Sequence, residues 1–487
     1  MTAIVRFEGT KGFVMAVQYL AAHRFGLGRR FDDPAIGDPK DWLVRQIGDY
    51  DPAPAAIAGL AGREAIATAY AEYRDERQAM RREAKNAEMR DDDGAEVQTM
   101  RRMARAGFRR HYGEAARARL TAAVATRTPF PERLVHFWSN HFAISADKQT
   151  VVGFAGNYEN DAIRPHVMGK FSDLLSAAVH HPAMLLFLDQ AQSFGPDSPF
   201  AARVRNRGKR QAPGLNENLA REIMELHTLG VRAGYTQADV TNFAKALTGL
   251  TVAGLGRGAG QRLVPVDARP GETIFVDRLH QPGPLTILGK RYDQPGAKQA
   301  EAVLRDLAVH PATARYVATK LARHFAGNPP PPALVDALAE RFLDTDGDLP
   351  SIYRTLVERP EPWAAPPMFR SPWDWLVGAA RAIDYRSPNP RLGYRLTVEL
   401  GQPVWEPKSP AGYADTSATW TGSDALMRRI EAAERIAASA READPRALAP
   451  RLFPDTVSEA TLQAIARAES QQQGLALLFA SPEMMRR

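Results

Sequence analysis

The chain contains no cysteine in its 487 residues. Without thiols there is no disulfide, no thiolate metal site, no cysteine nucleophile and no haem attached through cysteine. Also missing is any apolar run of about 20 residues, the length a membrane-crossing helix needs. The best stretch, Leu174 to Leu188, is broken by His180, His181 and Pro182. Arg6 and Lys11 precede an apolar run from Phe13 to Ala22, but Glu8 and Gln18 depart from the pattern of a cleaved leader, so the sequence by itself reads as cytoplasmic.

Several chemical signatures are lacking as well. The GLGRGAG stretch at 254–260 has neither the Lys-Ser/Thr ending of a phosphate-binding loop nor the spacing of a dinucleotide fingerprint, and reads as a loop. Ser139, Ser172 and Ser176 stand in no nucleophile-elbow context. No nucleic-acid-binding motif is present.

What is present is ordinary globular material, with 44% hydrophobic and 24% charged residues. Helical periodicity dominates, which predicts a mainly α, multi-helical bundle. Two β-prone runs, Thr273 to Val276 and Leu285 to Leu288, predict one small hairpin through His280 to Pro284. The chain reads as a single helical domain over 1–487: an N-terminal helical segment 1–70, basic helices 71–125, a core 126–430 holding the motifs, and a helical tail 431–487. Loops are expected at 193–214, 254–271 and 328–332, the last with four consecutive prolines.

The net charge of +7 admits anionic partners. Arg74, Arg77, Arg81 and Lys85 form one basic stripe and Arg101, Arg102, Arg105 and Arg109 a second, with further cations in the loop before Gly214. Binding to a polyanion is the weakest of the functional readings. Intervening Glu76, Glu83 and Asp91 to Asp93 make the stripes solvated charged faces instead, and nucleic acid is not an expected partner.

Two helices carry the polar residues of most interest. The first runs from Asn216 to about Gly230, with Asn216 as cap, Glu217 in the first turn and Arg221 placed to pair with it. On a helical wheel Glu222 falls among Leu219, Ile223, Leu226 and Leu229, which predicts an inward carboxylate. A buried carboxylate needs a cation, a hydrogen bond, a metal or a proton. The second helix includes residues 133–144, where His141 shares an arc with Leu134, Phe137 and Trp138 while His136 projects about 140° away. The two histidines therefore do not form the same-face pair of a zincin helix. His180-His181-Pro182 and His310-Pro311 read as helix starts and His324 as a cation near a helix C-terminus, none with assigned chemistry.

These helices, with FWSNHF at 137–142, the Ile163 to Leu175 stretch containing His166, HPAMLLFLD at 181–189 and NENLAREIMELHTLGV from Asn216, resemble the bacterial domain-of-unknown-function 1800 family (DUF1800). The resemblance extends through GYTQADVTNFAKALTGL at 234–250, LHQPGPLTILGK at 279–290, GQPVWEPKSPAGY at 401–413 and the terminal ALLFASPEMMRR. Leu250 and Tyr413 depart from the family's usual tryptophans. The resemblance implies a helical protein with no established activity, found beside an exported sulfatase-like protein. It therefore implies an envelope role and a periplasmic or co-exported location.

Together, the residues and the resemblance predict a polar site of His141, His166, Glu222 and His280, supported by Asn140, Asn216, Glu217 and Arg221. Such a set could hold a divalent metal or move protons in hydrolytic chemistry, with Glu222 as base or ligand. The alternative is a noncatalytic binding partner or carrier for the sulfatase-like protein.

Overall fold

The computed structural model describes residues 4–5, 15–87, 94–206, 214–255, 262–385, 390–440 and 442–487. Helices dominate. They include α1 (Gly94–Ala125), α2 (Pro129–His141), α3 (Phe171–His180), α4 (Pro182–Phe187), α5 (Asn218–Glu222), α6 (Gln237–Leu247), α7 (Ala297–Ala308), α8 (Pro311–Ala326), α9 (Pro332–Asp344), α10 (Leu349–Glu358), α11 (Pro372–Ala382), α12 (Ser423–Ser439) and α13 (Gln471–Phe479).

Local chemistry sets many of these boundaries. At His181-Pro182 and His310-Pro311 the imidazole Nδ1 accepts the backbone N–H two residues on, at 3.1 Å in each case. Proline fills the first helical position, where its missing N–H costs nothing. Thr236 and Asp239 close a capping box at the head of α6.

Three five-residue π turns occur among the described residues, at Ala21–Phe25, Glu159–Ile163 and Ile223–His227. Each buries ionisable groups: His23 and Arg24 in the first, Glu159 in the second, His227 in the third. A π turn adds a residue to the turn and so re-aims the side chains that follow it.

The predicted pairing of the two β-prone runs is corrected. Both are strands, but Thr273–Phe275 pairs antiparallel with Leu250–Val252, and Leu285–Ile287 pairs with Lys290–Tyr292. The tight turn Leu288-Gly289, with φ of 51° and 75°, closes the second ladder locally. Residues 276–284 instead carry a 3-10 turn at Asp277–Leu279 and lead His280 back onto Thr248.

One apolar core, including Tyr19, Trp138, Trp375 and Met485, gathers side chains from nearly the whole length of the chain. Consecutive helices α8, α9 and α10 pack against one another, α12 lies on α13, and α11 packs on α1. Helix α2 is central: eleven of its thirteen residues are buried. Truncating a residue such as Trp138 to alanine would cost about 3 to 5 kcal/mol.

Positive charge inside the protein exceeds negative. Among the described residues, nine arginines and Lys320 are buried against four carboxylates, Glu132, Glu159, Asp374 and Glu483. Backbone carbonyls solvate much of the surplus. Arg381 donates to the carbonyls of Gly28, Ala123, Val124 and Thr126, and Arg24 to those of Pro362, Ala365 and Pro366. The five-donor guanidinium suits this role.

Candidate functional site

A cavity of about 110 Å³ lies where α1, α2, α8 and the start of α11 meet the loop 402–417. Helix α2 gives it Arg133, His136, Ser139 and Asn140; α1 gives Arg119; α8 gives His324; Trp373, Asp374, Trp405 and Arg487 complete its polar and aromatic wall. The loop is held down by Asn140, whose Nδ2 donates to the Tyr413 carbonyl at 2.9 Å and whose Oδ1 accepts the Tyr413 N–H at 2.7 Å. Gly412, at φ 81°, permits that approach, because a Cβ there would overlap Asn140. Two motifs of the family resemblance, FWSNHF and GQPVWEPKSPAGY, thus meet at one cavity.

Behind the wall runs an ionic network in which each buried carboxylate has a cationic partner. Arg119 Nε donates to both oxygens of Glu159 at 3.0 and 2.9 Å, and the Trp405 indole donates to the same carboxylate at 2.8 Å. Arg164 forks onto Glu132, and His136 Nε2 lies 3.4 Å from Glu132. Burial pushes both carboxyls up, but the arginines, helped at Glu132 by the His136 N–H, outweigh it. Arg164 and His136 hold Glu132 well below its ordinary range, and Arg119 and Arg164 lower Glu159.

Asp374 is treated similarly by Arg133, 3.0 Å away, and Arg487, 3.4 Å away, which override burial and lower its carboxyl. Burial, followed by the like charge of Arg133, pushes Arg487 down to about 9, so it remains charged at neutral pH.

The cavity imidazoles are neutral. Trp373 Nε1, which can only donate, is 3.1 Å from His136 Nδ1, so the His136 proton sits on Nε2 facing Glu132. Burial, then Arg119, lowers its pKa. His324 is lowered well below the usual value by burial and then by Arg487 and Arg133, and its Nε2 has no hydrogen-bond partner among the described residues.

Arg119 is the group with donors to spare. Its guanidinium lies 4.4 Å over the Trp373 ring and 5.4 Å from Trp405, and only Nε bonds to a described residue. Trp405 itself adopts φ 52°, a left-handed conformation that costs a non-glycine residue about 1 kcal/mol or more. The Glu159 bond and the Ala146 N–H on the Trp405 carbonyl, at 2.8 Å, hold it there.

The predicted site residues are placed separately. His141 is buried on the other side of α2, with Nε2 on the His227 carbonyl at 3.0 Å. His280 donates from Nδ1 to the Thr248 carbonyl at 2.9 Å and packs edge-on against Phe275. His166 is half-buried on a 3-10 turn, where burial lowers its pKa. Glu222 is half-buried, not inward as predicted. After α5 the chain enters the π turn, and the buried stripe becomes Leu219, Ala220, Ile223, Met224 and His227. Burial and then Glu225 raise the Glu222 carboxyl. No group of three or more histidine or carboxylate side chains among the described residues is arranged to hold a metal, so the predicted quartet is not assembled.

The supporting residues divide. Asn140 belongs to the cavity, as described. Asn216 caps the turn before α5, accepting the Asn218 N–H at 2.9 Å and donating to the Leu188 carbonyl. Arg221 pairs with Glu217 at 3.2 Å and with Glu225 at 3.7 Å on the surface. Of the basic stripes, the side chains of Arg77, Arg81, Lys85, Arg101, Arg102 and Arg105 lie outside the described residues, as do residues 207–213 and 256–261. No helix among the described residues is long and apolar enough to cross a membrane.

Sequence reasoning missed Arg119, His136, His324, Trp373 and Trp405 as a group. The available signal was the presence of Trp405 and Asn140 inside two separate motifs. Comparison with family models matches residues 21–486 to "Protein of unknown function (DUF1800)". The chain belongs to that family. Comparison with curated proteins and with solved structures finds no match.

Proposed function

We propose that this DUF1800 chain is a binding protein for a small organic anion, a carboxylate carried on an aromatic or apolar body, held in the cavity between Arg119, Arg133 and Arg487. The observation that carries this reading is the Arg119 guanidinium, clamped by Glu159 and two indoles, with its terminal nitrogens bonded to no described residue. A preorganised guanidinium fork matches a carboxylate in two hydrogen bonds. The flanking indoles supply apolar contact for the rest of such a ligand.

Binding fits the cavity better than hydrolysis. The one acceptor nitrogen of His136, Nδ1, is taken by the Trp373 indole, and protonating His324 would add a cation beside Arg133 and Arg487. Neither is a ready general base.

Benzoate and its uncharged analogue benzyl alcohol test the reading at fixed ionic strength. Benzoate should raise the thermal midpoint of the wild type, and benzyl alcohol at the same concentration should raise it less, because stabilisation by a ligand grows with the logarithm of its concentration relative to Kd. Arg119→Lys keeps the charge but loses the fork, and should abolish most of the difference. Equal shifts from the two compounds in the wild type would rule the reading out.

A further inference from the structure

Tyr316, Lys320 and His324 succeed one another at four-residue spacing along α8 and so share one face of it. His324 reaches the cavity; Lys320, one turn earlier, enters a different polar cluster. It is the only lysine among the buried described residues, at 8% exposure. Its Nζ makes no hydrogen bond or ion pair with any described residue, and its nearest aromatic partner is the Tyr316 ring at 5.9 Å.

The surroundings offer an ammonium little. His141 Nε2 must donate to the His227 carbonyl, which leaves Nδ1 as a bare acceptor with no partner. Neither ring nitrogen of His227 has a hydrogen-bond partner among the described residues. Both imidazoles have lowered pKa values, His227 down to about 3, through burial first and then, among charged neighbours, Lys320. Arg323 adds like charge, and Asp415, whose field favours the ammonium, forms no ion pair with it. Burial accordingly lowers the Lys320 pKa. An amine at the end of a buried stem, with no counter-charge at ion-pairing distance among the described residues, is displaced toward its neutral, nucleophilic form.

We propose that Lys320 is an amine nucleophile that condenses with the carbonyl of a small aldehyde or ketone. The neutral amine adds to the carbonyl carbon, a C=N bond forms, and the carbonyl oxygen departs as water with the two amine protons. The reaction does not depend on the anion cavity.

The test is reductive alkylation of the whole protein with propanal and cyanoborohydride at pH 7, followed by peptide mapping. Cyanoborohydride supplies the hydride that fixes the imine as a secondary amine. Each pKa unit lost multiplies the free-amine fraction at this pH about tenfold. Lys320 should therefore be alkylated several-fold faster than Lys298 and Lys408, both exposed. Lys320→Met should remove that fast adduct and leave the slow ones. Alkylation of wild-type Lys320 at or below the rate of the exposed lysines would overturn the proposal whether or not the variant folds. Because propanal carries no charge, failure of the anion-binding reading leaves this result intact.

Discussion

His136 and His141 leave the same helix five residues apart and enter opposite kinds of polar interior. On the His136 side, Arg119, Arg164, Glu132 and Glu159 balance one another at hydrogen-bonding distance. On the His141 side, His227 and Lys320 are buried with no carboxylate among the described residues bonded to them. The first arrangement is rigid and compensated, a wall against which Arg119 can be aimed. The second stores desolvation that is relieved only by keeping its groups neutral. A paired interior fixes geometry; an unpaired one tunes reactivity.

The largest expected effect breaks the compensated side. Glu159→Gln keeps the shape but removes the charge that Arg119 and Arg164 share, and uncompensated buried cations cost about 3 to 5 kcal/mol. A large fall in the urea midpoint at pH 7 is the expected outcome. A loss under 1 kcal/mol would mean the network does not bear on stability.

A smaller effect separates the two histidines. His136→Phe leaves the Trp373 indole N–H without its acceptor, which costs about 1 to 3 kcal/mol. His141→Phe gives up one bond to the His227 carbonyl but also removes an unpartnered buried Nδ1, so its loss should be about 1 kcal/mol or less. Chemical denaturation of both variants decides the order, and the reverse order would break the contrast.

Acidification should separate the buried histidines from the buried carboxylates by pH. His141, His227, His136 and His324 are held neutral in the fold, with pKa values below the unfolded value of about 6.5. Their stability contribution is complete above that pH and falls below it, as the unfolded chain takes up protons the fold refuses. Glu132, Glu159 and Asp374 have lowered folded pKa values, so their contribution is complete above about pH 4.3 and is lost only as pH falls further, through those folded values. Stability should therefore decline from pH 6.5 to 5, by about 1.4 kcal/mol per pH unit for each excess proton. The slope should flatten in His141→Phe. An unchanged slope in that variant would assign the decline to other groups.

Much of the scaffold was legible before any coordinates. Helical periodicity announced the class, and the His-Pro pairs marked two helix starts that the imidazoles do cap. The wheel placed His141 inward correctly. It failed for His136 because α2 is buried almost all round, so the face opposite the apolar arc also meets protein, here a cavity. It failed for Glu222 because a wheel drawn at 100° per residue does not apply across a π turn. The strand runs were found but mispaired, since a short β-prone run does not specify its partner.

The sequence by itself determined the absence of thiol chemistry, the helical class, many caps and the two motifs that later meet at the cavity. Those properties depend on residue identity or on neighbours within a turn or two. Only the tertiary structure decided that Asn140 would hold Tyr413, that Arg119 from α1 would lie against Trp373 and Trp405, and that Lys320 would be buried without a counter-charge. Those contacts join residues up to 286 positions apart, Arg119 with Trp405. Periodicity describes a side chain's direction around its own helix axis and carries no information about which distant segment will stand in front of it.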